Sequence, residues 1–195
     1  MTSTTELPTA SDIEPHDFEA LLTTLDGLDV PGYRAEIAGG SIVLSPWPKG
    51  YYIDVVESVC DQLRSRLPED HRITMSPALY VFPGDERAYG PDIHAASRQV
   101  FSTSSPRLDG EALSFAAELA FSPTRDNGLT EKARVYGRAG VAVYLLLDMP
   151  AEEATVFWMP WAKGYQARHR KPFGEKLHIP APFDCELDTT GFRRP

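Results

Sequence analysis

The sequence predicts a single α/β domain in which a central mixed β-sheet is flanked by helices. The chain has 195 residues, of which 42% are hydrophobic, and this is enough to build one core. Apolar runs typical of strands alternate along it with apolar residues at helical spacing. Residues 1–11 are polar and rich in threonine, so we expect a disordered tail followed by one domain over residues 12–195.

Two amphipathic helices are predicted in the first third of the chain. The first begins after Ser11 or Asp12, either of which can cap it, and ends at Gly27. The second runs from about residue 52 to residue 67 and is stopped by Pro68, which cannot continue a helix. Both have an apolar stripe, formed by Phe18, Leu21, Leu22 and Leu25 in the first and by Tyr52, Val55, Val56, Val59 and Leu63 in the second.

Short apolar runs bounded by turn residues predict the strands. Residues 33–37 and 41–45 read as a hairpin around Gly39-Gly40, a pair that tolerates the positive φ of a tight turn. Residues 73–82 are predicted as one strand with a bend at Pro77, and residues 98–110 as a loop. Three later runs predict successive antiparallel strands at residues 155–159, 165–169 and 176–179.

Glu118 interrupts an apolar run that otherwise reads as a buried strand. Three apolar residues precede it, and Leu119, Ala120 and Phe121 follow it. A carboxylate in the interior of a strand is costly to desolvate unless it is paired or binds a metal ion. The run therefore predicts a partner or a ligand for Glu118.

A lysine occupies the packed face of the helix that follows. Helical spacing puts Leu129, Lys132, Ala133 and Tyr136 on one face and Glu131, Arg134 and Arg138 on the other. Lys132 is thus expected to point toward the sheet. An inward acid followed by an inward lysine suggests a catalytic pair, while a buried Glu118–Lys132 salt bridge without function is the structural alternative.

Asp92 opens another short strand after a Gly-Pro turn, and we expect this strand to neighbour that of Glu118. Two carboxylates and a backbone carbonyl can hold Mg²⁺ or Mn²⁺, which prefer oxygen ligands and keep several waters. Such an ion activates water and stabilises charge on a phosphoryl group, and a nearby lysine can orient that water. The pattern favours phosphoester hydrolysis, with a mere turn role for Asp92 as the alternative.

The order Asp–Glu–Lys resembles the PD-(D/E)XK nuclease superfamily. Pro91-Asp92 matches the PD element, and Glu118-Leu119-Ala120 matches the second element with alanine in place of lysine. In the Uma family of predicted restriction endonucleases the lysine lies in the following helix, as Lys132 does here. Further matches are Ser122-Pro123, Asp126, Tyr136, Gly140-Val141, Asp148 and the hairpin from Tyr33 to Pro46.

The resemblance implies a restriction-endonuclease-like core and an endonuclease that acts on DNA with Mg²⁺ or Mn²⁺. Asp92 and Glu118 would hold the ion with the backbone carbonyl of Leu119, and Lys132 would serve the attacking water. A homodimer is implied by analogy, because many nucleases of this fold cut both strands as dimers. The family usually has a histidine where this chain has Tyr51 or Tyr52, so a catalytically inactive binding or assembly module is the alternative function.

Three further residues are candidates for accessory roles. Glu36 lies in the first hairpin strand, where it could orient a ligand or point outward to solvent. Tyr52 could stack on a base or contact a phosphate, although its place on the apolar helix face favours packing. Asp126 is expected to cap the helix of Lys132 rather than to take part in the chemistry.

The charge balance narrows the class of partner. A net charge of −9, from 19 basic and 28 acidic residues, argues against a generic charge-driven binder of nucleic acid. It leaves room for an enzyme whose metal ion supplies positive charge at the site, with a smaller phosphoester as a third alternative substrate. No apolar run has the length of a membrane span and the N-terminus lacks signal-peptide character, so we expect a cytoplasmic protein without a membrane partner.

Overall fold

The computed structural model describes residues 17–121 and 126–192, and for residues 126–129 it describes the backbone alone. The predicted disordered tail, residues 1–11, lies outside the described residues. The α-helices in the described ranges are α1 (Phe18–Asp26), α2 (Tyr52–Arg64) and α3 (Asp126–Arg138). None of the three has both the length and the apolar character needed to span a membrane.

The strands in the described ranges fall into three sheets. They are β1 (Tyr33–Ala38), β2 (Ser41–Pro46), β3 (His71–Thr74), β4 (Leu79–Phe82), β5 (Arg87–Tyr89), β6 (Ile93–Ser97), β7 (Arg107–Asp109), β8 (Leu113–Ala120), β9 (Val143–Asp148), β10 (Glu153–Trp161), β11 (Gly164–Pro172), β12 (Lys176–Ile179) and β13 (Cys185–Asp188).

A six-stranded mixed sheet with the order β11-β10-β9-β8-β6-β3 forms the centre of the fold. β8 and β9, which are connected in the chain through α3, run parallel, and the other neighbours are antiparallel. The predicted α/β class is therefore confirmed. The predicted pairing is confirmed too, because the strand that follows Asp92 (β6) lies beside the strand that carries Glu118 (β8).

The two faces of β8 pack against different helices, because successive side chains of a strand point to opposite sides. Phe115 belongs to the core cluster that contains Val59 of α2. Ala116, the next residue, belongs to the cluster that contains Tyr136 of α3. Glu118 is two residues further along on the same face as Ala116, so it points toward α3.

A second, five-stranded sheet with the order β2-β1-β5-β4-β7 covers this side of the molecule. Tyr80 of β4 and Tyr89 of β5 share a core cluster with Tyr136 of α3. β1 and β2 form the predicted hairpin, and Gly39 and Gly40 supply its turn with φ values of 59° and 72°. The sequence predicted the hairpin but not the separate sheet that it joins.

The predicted single strand over residues 73–82 is wrong. Residues 71–74 form β3 at the edge of the central sheet, and residues 79–82 form β4 in the second sheet. Pro77 lies between them, and its missing N–H prevents a continuous ladder. The predicted loop at 98–110 likewise ends in a short strand, β7, which pairs with β4.

Two other predictions need correction. The third late run forms β12, but it pairs with β13 rather than with the preceding strand. Its alternate residues Leu177 and Ile179 pack into the core cluster that contains Val59 of α2. The first helix begins at Phe18, later than predicted, and the predicted caps Ser11 and Asp12 lie outside the described residues. Asp17 is its cap, and its Oδ1 accepts a hydrogen bond of 3.2 Å from the backbone N–H of Glu19.

Candidate active site

Asp92 and Glu118 lie side by side at the end of the β6–β8 ladder. Ile93 pairs with Ala117 in antiparallel register, so Asp92, which precedes Ile93, faces Glu118, which follows Ala117. Asp92 Oδ2 also accepts a hydrogen bond of 2.7 Å from the backbone N–H of Leu119. The structure thus brings the two predicted acids and the predicted carbonyl-bearing residue together.

Lys132 reaches Glu118 from α3, as the helical spacing predicts. Its Nζ lies 2.9 Å from Glu118 Oε1, and the Lys132 side chain is only 13% exposed. Tyr136, one turn further along the helix, donates its hydroxyl to the same oxygen at 2.9 Å. Both described hydrogen bonds therefore end on Oε1, and Oε2 is the Glu118 oxygen that could bind an ion.

Glu36 is a third acid of the same cluster. Its two carboxylate oxygens lie 3.0 and 2.9 Å from Lys132 Nζ, and Oε1 also accepts a hydrogen bond of 2.8 Å from the backbone N–H of Gly90. With 6% of its surface exposed, Glu36 is buried, so the outward-facing alternative is wrong. Lys132 is held between two carboxylates.

Arg34 also belongs to the site, although no sequence pattern predicted it. Its guanidinium donates a hydrogen bond of 2.7 Å to Asp92 Oδ1. Arg34 and Glu36 are two residues apart on β1 and therefore share one face of that strand. This alternation is the sequence pattern that could have identified Arg34. It does so only if Glu36 is known to point inward, because Arg34 must then point inward too.

Burial and charge move the pKa values of the acids in opposite directions. Burial raises the pKa of Glu118 to about 7, although the Lys132 charge works against the shift. Glu36 is buried as well, yet Lys132, Arg34 and the Gly90 N–H hold the pKa of its carboxyl below the usual value. Glu36 is the acid that stays ionised, and Glu118 is the one that titrates near neutral pH.

Both cations of the cluster stay charged. Burial alone would lower the pKa of Lys132, but the charges of Glu118 and Glu36 raise it above its ordinary value. The pKa of Arg34 is also raised, because Asp92, Glu118 and Glu36 outweigh the effect of burial. Lys132 is therefore an ammonium that donates hydrogen bonds, and it is not a neutral amine that could remove a proton from water.

The donors present fit a small divalent cation. Among the residues that the structure describes, no three His, Cys, Asp or Glu side chains are grouped to hold a metal by themselves. Mg²⁺ and Mn²⁺ do not require such a cage, since one or two carboxylates and several waters are sufficient. Asp92 and Glu118 supply hard oxygen donors, and three carboxylates against two cations leave the cluster with one negative charge.

A cleft of about 510 Å³ opens next to the acids. Arg34, Gly90 and Asp92 line it, together with residues of the β2–α2 connection and of α2. Tyr52 is one of these wall residues. It is 5% exposed, and its hydroxyl accepts a hydrogen bond of 2.8 Å from the hydroxyl of Tyr51.

Asp126 remains without a described role. It is the first residue of α3, as a capping or near-capping position requires, but its side chain lies outside the described residues. The predicted cap therefore stays a prediction.

The fold resembles that of a solved protein. The crystal structure of a putative nuclease belonging to DUF820 from Anabaena variabilis matches with a TM-score of 0.65 over 89% of this chain and 96% of that chain. The two sequences are 16% identical, so this likeness shows the fold alone. No curated protein matches the chain.

The Uma2 family, described as putative restriction endonuclease, matches residues 15–190, which is most of the chain. The chain therefore belongs to the Uma2 family of putative restriction endonucleases.

Proposed function

We propose that this protein is an endonuclease that uses Mg²⁺ or Mn²⁺ to hydrolyse phosphodiester bonds in DNA. Family membership supports nuclease activity. The main observation in support is that Asp92, Glu118 and Lys132, which were predicted as site residues and lie in separate parts of the chain, are close together in the fold. Asp92 lies beside Glu118 in the β6–β8 register, and Lys132 Nζ is 2.9 Å from Glu118 Oε1. Two acids and a lysine in this arrangement are suited to phosphoryl chemistry.

Each residue has a separate task in this proposal. Asp92 and Glu118, with the backbone carbonyl of Leu119, would hold the ion. When bound, the ion lowers the pKa of water and offsets charge that develops on the phosphoryl oxygens. The Lys132 ammonium orients the attacking water or donates to a phosphoryl oxygen, because its raised pKa keeps it protonated.

Two residues position these groups without touching the reacting atoms. Glu36 fixes Lys132 by accepting from its Nζ on both carboxylate oxygens. Tyr136 fixes Glu118 from the other side, and the raised pKa of its buried hydroxyl keeps it a hydrogen-bond donor. Both contacts restrict the rotamers of the catalytic side chains, which is how a site is held ready for reaction.

A catalytically inactive module is the second candidate, and one observation favours it. Asp92 Oδ1 is paired with Arg34 at 2.7 Å, and Glu118 Oε1 with Lys132 at 2.9 Å, so each of the two proposed metal ligands already has a protein cation as its partner. A domain that only binds nucleic acid or protein could keep these ion pairs for stability, because it needs no metal ion. Metal binding would require an Asp92 oxygen to be shared between the ion and its present donor, which is Arg34 for Oδ1 and the Leu119 N–H for Oδ2, or to be released by that donor.

Plasmid cleavage separates the two functions. Purified protein is incubated with supercoiled plasmid in Mg²⁺, Mn²⁺ or EDTA, and nicked and linear products are quantified. The endonuclease assignment predicts products with either ion and none with EDTA. Absence of cleavage at high protein concentration, together with absence of Mn²⁺ binding by calorimetry, would contradict it and favour the inactive module.

A further inference from the structure

The cleft beside Asp92 has walls that suit a flat aromatic ligand better than a duplex surface. Trp47, Pro48, Ile53, Val56, Met75 and Pro77 line it. Three of these are large apolar side chains with unusual exposure, 52% for Trp47, 56% for Ile53 and 41% for Met75. Exposed apolar residues that gather around one concave surface mark a binding site.

The charged residues of the same cleft point to a phosphate nearby. Arg34, which contacts Asp92, and Lys49 both line it. Asp92, which is paired with Arg34 at 2.7 Å, is the acid among the lining residues, so two cations against one carboxylate give the cleft a net positive charge in a chain whose net charge is −9. This charge complements an anion attached to an apolar group. A nucleotide has both parts, a base with apolar faces and a negatively charged phosphate.

The size and lining of the cleft exclude a base that is still stacked in a duplex. A volume of about 510 Å³ is in the range of small-ligand sites and can hold a single nucleotide. A duplex presents phosphates and groove edges, whereas its base faces are covered by their neighbours. Contact between Trp47 and a base face therefore requires that the base be unstacked, as in a single strand or after extrusion from a helix.

We propose that the cleft between the β2–α2 connection and Asp92 binds one unstacked nucleobase, with Trp47 as the stacking residue. This inference rests on the proposed nuclease function and names its substrate class, which is DNA with an unpaired base at the cut site. Ile53 and Met75 enclose the base, and Arg34 and Lys49 meet its flanking phosphates. The adjacent phosphodiester is thereby presented to Asp92 and Glu118.

Binding measurements in EDTA test the cleft independently of cleavage. Fluorescence anisotropy is measured with a labelled oligothymidylate, a blunt duplex, and the same duplex containing one bulged thymine. The single strand should bind more tightly than the blunt duplex. Trp47→Ala should weaken binding of the single strand about tenfold, the loss expected for one stacked base. Binding of the bulged duplex would identify extrusion from a helix as a second source of the base, and its absence would limit the source to single strands.

Matched variants distinguish loss of a cleft contact from a general effect of removing an exposed tryptophan. Trp161→Ala is the control, because Trp161 is 44% exposed on β10 and does not line the cleft. Ile53→Ser is a second cleft variant at an exposed helix position, and it should weaken the same binding. Quenching of Trp47 fluorescence by oligothymidylate, measured with Trp158 and Trp161 replaced by phenylalanine, reports stacking directly.

Three outcomes would overturn the inference. The first is a blunt duplex that binds as tightly as the single strand. The second is a Trp47→Ala variant that binds single strands like the wild type. The third is a Trp47→Ala variant that loses self-association while it retains DNA binding, which would assign the cleft to a second copy of the chain. Binding as expected but without cleavage in Mn²⁺ would contradict the proposed catalysis alone.

Discussion

Replacement of Lys132 by methionine should destabilise the fold, because two buried carboxylates would lose the cation that they share. Glu36 and Glu118 both accept hydrogen bonds from Lys132 Nζ at 2.9–3.0 Å, and their side chains are 8% and 5% exposed. Methionine fills a similar space without a charge. The change therefore tests the electrostatic role of Lys132 and leaves the packing of the α3 face almost unaltered.

The expected loss is large for a single substitution. Removal of one partner of a buried ion pair costs about 3–5 kcal/mol, against a total stability of about 5–15 kcal/mol for a domain. Protonation of Glu118, whose pKa is already raised to about 7, should reduce the loss at acidic pH. Adding Glu118→Gln to Lys132→Met should recover part of it, with a coupling energy of about 0.5–3 kcal/mol between the two positions.

Urea unfolding followed by tryptophan fluorescence gives the required free energies. Wild type, Lys132→Met, Glu118→Gln and the double variant are compared in metal-free buffer at pH 8 and at pH 5.5. The exposed Lys163→Met on the β10–β11 turn is the control and should change stability by less than about 0.5 kcal/mol. A loss below about 1 kcal/mol for Lys132→Met at pH 8, which is the range of solvent-exposed ion pairs, would show that Lys132 does not stabilise the two buried carboxylates.

Three further predictions concern the groups around this centre. Burial raises the pKa of Glu118 from 4.5 to about 7, so the folded state holds a proton that the unfolded chain releases, and stability falls as pH rises across that window. Glu118→Gln lacks this penalty, and urea unfolding should show its stability relative to wild type rising by about 3 kcal/mol between pH 4.5 and pH 8. Arg34→Met frees Asp92 Oδ1, and calorimetry should show tighter Mn²⁺ binding. Gly137→Ala should lower stability by about 1–3 kcal/mol or more in thermal unfolding, since its new Cβ would lie 2.2 Å from backbone atoms of Gly164.

Each of these has a defined contrary result. A stability difference for Glu118→Gln that is flat with pH would show that Glu118 does not titrate in this window. Weaker Mn²⁺ binding by Arg34→Met would show that the arginine supports the ion rather than competing with it. Gly50→Ala is the control for the glycine change, because an added methyl there meets no atom within 4 Å, and equal stabilities of the two variants would contradict the packing.

The unit from β8 to α3 was predictable because its signals are local. Glu118 lies within one apolar run, and Lys132 lies on one helix face that four residues at helical spacing define. Both patterns depend on neighbours in the chain and on the burial that they imply. Glu118 and Lys132, 14 residues apart, accordingly meet where the sequence places them.

The roles of Arg34 and Glu36 could not be read in the same way. Arg34, Glu36 and their apolar neighbours alternate along β1, and this pattern is also typical of a strand with one face in solvent. The face is buried only because Asp92 and Lys132 arrive from positions 58 and 96 residues away. Contacts of such separation are set by the pairing of whole sheets, about which a local pattern contains no information.

The split between β3 and β4 has the same origin. Pro77 predicts an interruption of the ladder, but it does not specify that the two halves join different sheets. That outcome depends on the strands with which each half pairs. β3 pairs with β6, whereas β4 pairs with β5 and β7. The sequence therefore predicted the elements better than their partners.

Cleavage of supercoiled plasmid by Asp92→Asn, compared with Asp61→Asn, isolates the role of Asp92 as a metal ligand in catalysis. The first change removes a proposed metal ligand with almost no change in volume. The second makes the same change at an aspartate of α2 whose side chain is 67% exposed. We expect Asp92→Asn to lose at least a hundredfold of the Mg²⁺-dependent cleavage rate and Asp61→Asn to cut like the wild type. Cleavage by folded Asp92→Asn at the wild-type rate would contradict this role of Asp92.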